Sequence, residues 1–248
     1  MDKRKLTHCG EIVRQYDRDR FLISLLLPAE RRAEVWPVLA FHQEIARIRE
    51  TVSEPLIGLI RLQWWRDALR GLYETGKAPA HPVLEELAGV IERHGLPQGE
   101  FESLMDARES DIRGNASATF MELELYAERS TAPLNRMIVK ILGETEDEKT
   151  LRAVSIGYAL TGLLRAAPYY EAGGWRVLPR GQEDAPALVA LAEKYFSSAN
   201  PSGRFLTLSR QLGRAYLGRI GKLNYNLSDA RLARPPFLFV LKGLGGFF

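Results

Sequence analysis

Two arginines and a pair of tryptophans are the side chains of this sequence best suited to binding an anionic, lipid-like ligand. Arg61 and Arg165 lie in apolar stretches, where an unpaired charge is costly, and a guanidinium can hold a phosphate through a forked contact. Trp64 and Trp65 add large apolar surfaces beside Arg61. With Tyr169, a candidate polar lid, they form our predicted pocket. The alternatives are internal salt bridges for the arginines and core packing for the aromatic rings.

Metal-binding side chains are sparse by comparison. Glu50, Asp106 and Asp111 are the acids that we expect to pair with the arginines if these are structural. Asp106 and Asp111 lie five residues apart, which is a poor spacing for a shared ion on one helix. The chain has one cysteine and four scattered histidines, whereas zinc sites need several clustered ligands. We therefore predict no metal site and no cofactor, and a reducing compartment.

Charge and hydropathy limit the classes of partner. The 34 basic and 31 acidic residues are well mixed and leave a net charge of +3. Nucleic-acid binding normally requires a concentrated basic face, so we predict none. The small excess permits weak attraction to an anionic membrane surface. No apolar stretch approaches the length of a spanning helix, and the N-terminus lacks the apolar core of a secretory signal.

Helical periodicity dominates the elements that must position these residues. The pattern predicts helices over 31–50, 55–76, 82–95, 98–113, 118–143, 146–170, 185–197 and 203–220. We find no strand-like alternation, repeat or composition shift, so we predict one all-α domain of eight to ten helices over 1–248. A short arm precedes it at 1–10. An apolar tail at 235–248 is expected either to close the bundle or to meet a membrane surface or partner groove.

Several local patterns, in order along nearly the whole chain, are similar to those of the squalene/phytoene synthase family. RLQWWRDAL (61–69) is the most specific match, and it is followed by TFMELELYAERSTA (119–132) and ALTGLLRAAPYYEAGGWRVLP (159–179). The resemblance implies a single-domain, isoprenoid-synthase-like helical bundle. Active members carry two Asp-x-x-x-Asp motifs on facing helices, and these motifs hold the magnesium ions that bind the diphosphate leaving group.

Both acidic motifs are degenerate here. The matching positions are Ala46, Arg47 and Glu50 in the first motif and Ala166, Tyr169 and Tyr170 in the second. One carboxylate, Glu50, therefore remains. Magnesium prefers carboxylate oxygens, and a basic residue within its site is repulsive. We predict no bound metal and no catalytic residue.

A narrower resemblance points to one branch of this family. IRETVSEPLIGLIRLQWW (48–65) and LLRAAPYY (163–170) resemble the branch known from a mitochondrial respiratory complex I assembly factor with a degenerate synthase domain. It implies a non-catalytic role in assembling the respiratory NADH dehydrogenase, or in holding a lipid or isoprenoid at the membrane face. The expected partners are a respiratory subunit or assembly partner, a lipid or isoprenoid ligand, and a peripheral membrane contact.

Two other functions stay open at this point. One is an active prenyltransferase that condenses prenyl diphosphates head to head with magnesium at an altered metal site. The other is a chaperone-like interaction without any ligand. The expected location is the cytoplasm, at the inner face of the membrane, or the matrix side in a eukaryote.

Overall fold

The described part of the chain is helical throughout. A computed structural model describes residues 6–114, 117 and 119–236, and within them every regular element is a helix. The α-helices are α1 (His8–Tyr16), α2 (Arg18–Leu25), α3 (Ala29–Ala46), α4 (Pro55–Thr75), α5 (Pro82–His94), α6 (Gln98–Ile112), α7 (Phe120–Leu142), α8 (Glu148–Ala172), α9 (Ala185–Ser198) and α10 (Arg204–Lys222). Short 3₁₀ helices span Arg49–Thr51, Gly181–Asp184 and Ala230–Ala233. The predicted all-α class is confirmed.

The helices form two compact units. The first comprises the chain up to residue 113 together with 136–144, and the second comprises 114–135 and the chain from 145 onward. In the first unit α3 packs against α1, α2, α5 and α6, and α4 packs against α6. In the second unit α8, α9 and α10 pack against one another.

Aromatic rings organise the core of the first unit. Phe41 of α3 meets Trp65 of α4 and Phe101 of α6 edge to face, at centroid distances of 5.4 and 5.2 Å. This is a favourable arrangement for aromatic pairs. All three side chains are buried. The contact fixes α4 so that Trp65 points inward.

A phenylalanine seated on two glycines organises the core of the second unit. Phe196 of α9 is fully buried. A Cβ atom built on Gly157 of α8 would lie 2.7 Å from its ring, and one built on Gly213 of α10 would lie 2.4 Å away. Because a side chain at either position would collide with the ring, the glycines let three helices approach closely around Phe196.

Glycine and threonine residues set several helix ends. Gly76 and Gly95 end α4 and α5 in the left-handed conformation, with φ of 69° and 55°, which glycine adopts without steric cost. Thr119 and Glu122 have the spacing that predicts a capping box at the start of α7. The Thr119 hydroxyl accepts a hydrogen bond of 3.2 Å from the Glu122 backbone N–H, which confirms this half of the box.

The structure departs from the sequence-based predictions in three places. The predicted helix over 31–50 ends at Ala46 and gives way to the 3₁₀ turn. α8 continues through Pro168 to Ala172, two residues beyond the predicted end at 170. The sequence patterns also missed α1 and α2, and α1 begins inside the segment predicted as an arm, with Cys9 buried.

Two predictions concern the termini and membrane crossing. Most of the apolar tail predicted at 235–248 lies outside the described residues. Among the helices that the structure describes, none combines the length and apolar character needed to cross a membrane.

Candidate functional site

The first degenerate motif lies where α3 stops. Ala46 is the last residue of α3 and Arg47 caps it, with a backbone N–H bonded to the Gln43 carbonyl oxygen at 3.0 Å. The Arg47 guanidinium carbon lies 3.5 Å from the centroid of the Tyr16 ring, a cation–π contact. Glu50 follows in the 3₁₀ turn. The segment therefore holds a cation stacked on an aromatic ring where the family's acids belong.

The second degenerate motif lies in the last turns of α8. Tyr169 is 65% exposed and contacts Tyr170 at a centroid distance of 5.5 Å. Tyr170 in turn lies 6.0 Å from the Trp175 ring. With Ala166 one turn earlier, the segment presents a methyl group and phenol rings.

These residues do not fit magnesium. Mg²⁺ binds carboxylate and phosphate oxygens in octahedral geometry, whereas Ala46 and Ala166 offer no ligand atom. Arg47 brings a positive charge, and Glu50 lies on a backbone that is no longer α-helical. Within the described ranges, no three or more His, Cys, Asp or Glu side chains are grouped so that they could hold a metal ion.

Three of the predicted pocket residues do come together. Arg61, Trp64 and Trp65 line one pocket of about 310 Å³ in the first unit. The other lining residues are Glu44, Arg47, Ile48 and Thr51. The pocket is therefore built by one face of α4, the end of α3 and the 3₁₀ turn that follows it.

Of the two predicted roles, core packing and ligand contact, each tryptophan is suited to a different one. Trp65 is 4% exposed and packs into the core. Trp64 is 38% exposed and meets Trp65 edge to face at 5.1 Å. Both rings also lie near the His81 ring, at 5.5 Å from Trp64 and 5.0 Å from Trp65. Trp65 is thus mainly structural, while Trp64 offers an accessible aromatic surface.

The alternative prediction for Arg61, an internal salt bridge, would bury its guanidinium group. Arg61 is instead exposed, and one of its terminal nitrogens donates a hydrogen bond of 3.1 Å to the Thr51 hydroxyl. Of the acids considered as partners, Asp106 binds Arg66 at 2.5 Å and Asp111 binds Arg108 at 3.0 Å. The guanidinium at the pocket mouth therefore has a neutral partner in Thr51.

Arg165 has structural contacts in the second unit. Its Nε donates a hydrogen bond of 3.1 Å to the Leu232 carbonyl oxygen. Its guanidinium carbon lies 3.6 Å from the centroid of the Tyr216 ring. These contacts hold the 3₁₀ turn Ala230–Ala233 against α8 and α10.

The end of α3 and the residues after it also line the pocket. The sequence predicts residues 38–50 as one wall of a cavity, and Glu44, Arg47 and Ile48 of this segment line the pocket. The sequence patterns did not single out Glu44 or Ile48, and they indicated Arg47 only as a replacement for an acid. The spacing of the three residues, at i, i+3 and i+4, is the signal that groups them on one face of the predicted helix over 31–50.

Comparisons with known proteins agree with this geometry. The family model "Squalene/phytoene synthase" matches residues 13–182, a range that includes both degenerate motifs. NADH dehydrogenase (ubiquinone) complex I, assembly factor 6, of Homo sapiens is 36% identical over 165 residues, which are 66% of this chain and 49% of that protein. The presqualene diphosphate synthase of Sinorhizobium fredii is 28% identical over 56% of this chain and 50% of that enzyme. The chain thus spans about half the length of the curated relatives it matches.

The fold agrees as well. The crystal structure of squalene synthase HpnC from Alicyclobacillus acidocaldarius superposes with a TM-score of 0.74 at 22% identity, covering 88% of this chain and 93% of that one. The architecture is therefore the all-α isoprenoid-synthase fold, as the sequence predicts. Fold, motif order and matched residues together show that this chain belongs to the squalene/phytoene synthase family.

Proposed function

We propose that this chain is a non-catalytic member of its family that acts in the assembly of a respiratory NADH dehydrogenase. The observation that carries the proposal is the replacement of the metal-binding acids by Ala46, Arg47, Ala166 and Tyr170. The chain is 36% identical to an assembly factor of complex I and 28% identical to a presqualene diphosphate synthase. This difference supports an assembly role over a synthase role.

The chemistry of the reaction explains why the replaced acids matter. An allylic diphosphate ionises only when the charge that develops on its leaving group is neutralised, and bound metal ions supply that stabilisation. Alanine and tyrosine side chains at these positions cannot recruit such ions. The retained fold then provides a binding surface without the means to break the carbon–oxygen bond.

The pocket beside α4 supports the ligand part of the proposal. Arg61, Trp64 and Arg47 combine positive charge with aromatic surface, a chemistry suited to a lipid or isoprenoid with an anionic head. We propose that the protein works at the inner face of the respiratory membrane, on the matrix side in a eukaryote, with a respiratory subunit or assembly intermediate as its partner. No cofactor is part of the proposal.

A direct activity assay tests the loss of catalysis. Purified protein is incubated with farnesyl or geranylgeranyl diphosphate and Mg²⁺, with a presqualene diphosphate synthase as the positive control. We expect no condensation product above the background without enzyme. Head-to-head product would overturn the non-catalytic assignment and support a prenyltransferase with an altered metal site.

A genetic experiment tests the assembly role. Deleting the gene should lower NADH dehydrogenase activity in isolated membranes and leave their squalene and carotenoid content unchanged. Re-expression of the wild-type chain should restore the activity. Normal NADH dehydrogenase activity in the deletion strain would exclude the assembly role, whatever the outcome of the enzyme assay.

A further inference from the structure

Helix α4 carries a second apolar face that points to solvent. Leu56 is 64% exposed and Ile60 is 61% exposed, and Ile57 and Trp64 are also among the large exposed hydrophobic side chains. Spacings of four residues place Leu56, Ile60 and Trp64 along one line of the helix. We call Leu56, Ile57, Ile60 and Trp64 the α4 stripe.

The fold does not need the α4 stripe. The opposite face of the helix, with Leu62, Trp65 and Leu69, is buried and attaches α4 to the core of the first unit. A helix on the surface of a globular protein normally presents polar residues outward. An apolar line on the outer face is therefore unusual for a surface helix and is a candidate contact surface.

Two guanidinium groups lie beside the α4 stripe. Arg61 lies next to Ile60 in the helix, is exposed, and hydrogen-bonds the neutral Thr51 hydroxyl at 3.1 Å. Arg47 stands in the same pocket and stacks on Tyr16. Glu44 is the acid that also lines the pocket, so the lining carries two guanidinium groups against one carboxylate.

We propose that the α4 stripe, with Arg61 and Arg47, docks this protein on the surface of an anionic phospholipid bilayer. The apolar side chains enter the boundary between head groups and acyl chains, and the guanidinium groups contact lipid phosphates. Trp64 suits this boundary because its ring is apolar and its indole N–H is polar. Amphipathic helices that lie flat on membranes have this arrangement of apolar and basic residues.

The size of the α4 stripe favours a bilayer over a protein partner. Four partly exposed side chains on one helix offer at most a few hundred Å², whereas a stable protein complex buries roughly 800 Å² on each partner. A bilayer adds attraction from many lipid charges and does not require a complementary protein surface. The inference rests on the proposed function only in placing the protein at a membrane, because the contact itself requires nothing but lipid.

Vesicle sedimentation tests the proposal with the full chain. Protein is mixed with vesicles of phosphatidylcholine alone, or of phosphatidylcholine with phosphatidylglycerol, and the bound fraction is measured. We expect binding to the mixed vesicles that weakens as salt is added, and little binding to phosphatidylcholine alone. The double substitution Leu56→Ser/Ile60→Ser should reduce the binding constant at least tenfold, because it removes two apolar side chains from the bilayer boundary.

Charge removal provides a second variant. Arg61→Gln should lower the binding constant about fivefold, the typical contribution of one basic residue near an anionic surface. Two control variants match these changes elsewhere. Met121→Ser removes another large exposed apolar side chain, and Arg214→Gln removes a half-exposed arginine paired with Glu193. Both should bind as the wild type does.

The outcomes separate the possibilities. Unchanged circular dichroism and melting temperature show that the serine variant is folded. If the folded serine variant binds as tightly as the wild type, or if the wild type ignores anionic vesicles, the proposal is overturned. A protein partner that binds through α4 while vesicles do not would overturn it equally. Because no respiratory activity enters the assay, its failure is distinct from failure of the assembly role.

Discussion

At the scale of single residues, two glycines show how much a missing side chain can determine. Gly157 and Gly213 contact the Phe196 ring from two helices, and Phe196 lies in the buried cluster of the second unit. Neither glycine is at a turn or has a positive φ. Their function is to let α8 and α10 approach α9.

The first prediction follows from this contact. Gly213→Ala places a methyl group 2.4 Å from the Phe196 ring. Overpacking of this kind typically destabilises the folded state by about 1–3 kcal/mol. The free energy of unfolding, measured by urea denaturation, should fall by that amount. Gly218 lies on the same helix with nothing within 4 Å, so Gly218→Ala should be neutral or add about 1 kcal/mol from helix propensity. Equal effects of the two changes would refute the packing argument.

A second prediction at this scale concerns pH. The Tyr195 hydroxyl donates a hydrogen bond to Glu124, and burial first, then this hydrogen bond, raise the pKa of Tyr195 to about 12. In the unfolded chain, tyrosine titrates near 10. The folded state therefore holds the proton more tightly. The resulting stability is fully present below about pH 10 and is lost as the pH rises through about 12.

The measurement is the decline of the unfolding free energy between pH 10 and 12. Tyr195→Phe should make that decline shallower, because the phenylalanine ring carries no titrating group. Tyr169→Phe removes a phenol hydroxyl from an exposed site and serves as the control for a tyrosine-to-phenylalanine change elsewhere in the protein. A decline in Tyr195→Phe as steep as that of the wild type would show that Tyr195 does not contribute.

At the scale of elements, two arginines fasten the segment 230–234 to the second unit. Arg219 of α10 donates hydrogen bonds of 2.7 and 2.6 Å to the carbonyl oxygens of Arg231 and Arg234. Arg165 of α8 binds the Leu232 carbonyl oxygen. The guanidinium carbons of both arginines lie near the Tyr216 ring, at 3.6 Å for Arg165 and 5.9 Å for Arg219. The segment therefore depends on side chains from two helices.

A third prediction tests that attachment. Arg219→Ala removes two hydrogen bonds to the segment, so backbone amides in 230–234 should exchange with solvent faster, while those in the middle of α10 should not. Hydrogen exchange followed by mass spectrometry measures both regions. Arg214→Ala, on the same helix but paired with Glu193, should leave the segment protected. Unaltered exchange in Arg219→Ala would mean that other contacts hold it.

The elements also show which parts of this structure can be predicted from sequence. Gly76 and Gly95 mark the ends of α4 and α5 because only a residue that tolerates positive φ ends a helix in this way. The end of α3 was harder to place. Ile45 and Ile48 are both buried, and their three-residue spacing suits an α-helix and a 3₁₀ turn equally well. The pattern therefore concealed the change of backbone at Ala46.

Sequence spacing likewise predicts some groupings of the candidate site residues and not others. Arg61, Trp64 and Trp65 could be grouped from sequence, because spacings of three and four residues bring side chains together on a helix. The partners of Arg165 could not, because Tyr216 and Leu232 lie far along the chain and meet it only after folding. Local spacing predicts local clusters, whereas the choice between a ligand and a backbone carbonyl depends on tertiary packing.

At the scale of the whole molecule, the chain has the fold of a squalene synthase although most acids of the family's two motifs are absent from its sequence. The fold superposes on a squalene synthase at 22% identity, which reflects that apolar patterning and packing define an architecture more than particular side chains do. Function lies in sites placed on such folds. The same bundle can therefore form with other side chains at the motif positions.

The fourth prediction applies to the whole chain. A ligand that binds only the folded state raises the melting temperature. Millimolar Mg²⁺ with a non-hydrolysable farnesyl diphosphate analogue should leave the melting temperature of this protein unchanged. A dehydrosqualene synthase treated in the same way is the positive control and should melt at a higher temperature. Stabilisation of this chain that requires Mg²⁺ would contradict the assignment.

The turn that follows Ala46 also sets a condition for building the family's metal site into this chain. On an α-helix, side chains four residues apart diverge by about 40°, and each step taken at three residues per turn adds about 20° to that angle. Because Glu50 lies in the 3₁₀ turn Arg49–Thr51, an aspartate introduced at position 46 would point further from Glu50 than it would on a continuous α-helix. Such a design would therefore have to rewind the backbone around Glu50 as well as exchange side chains on two helices.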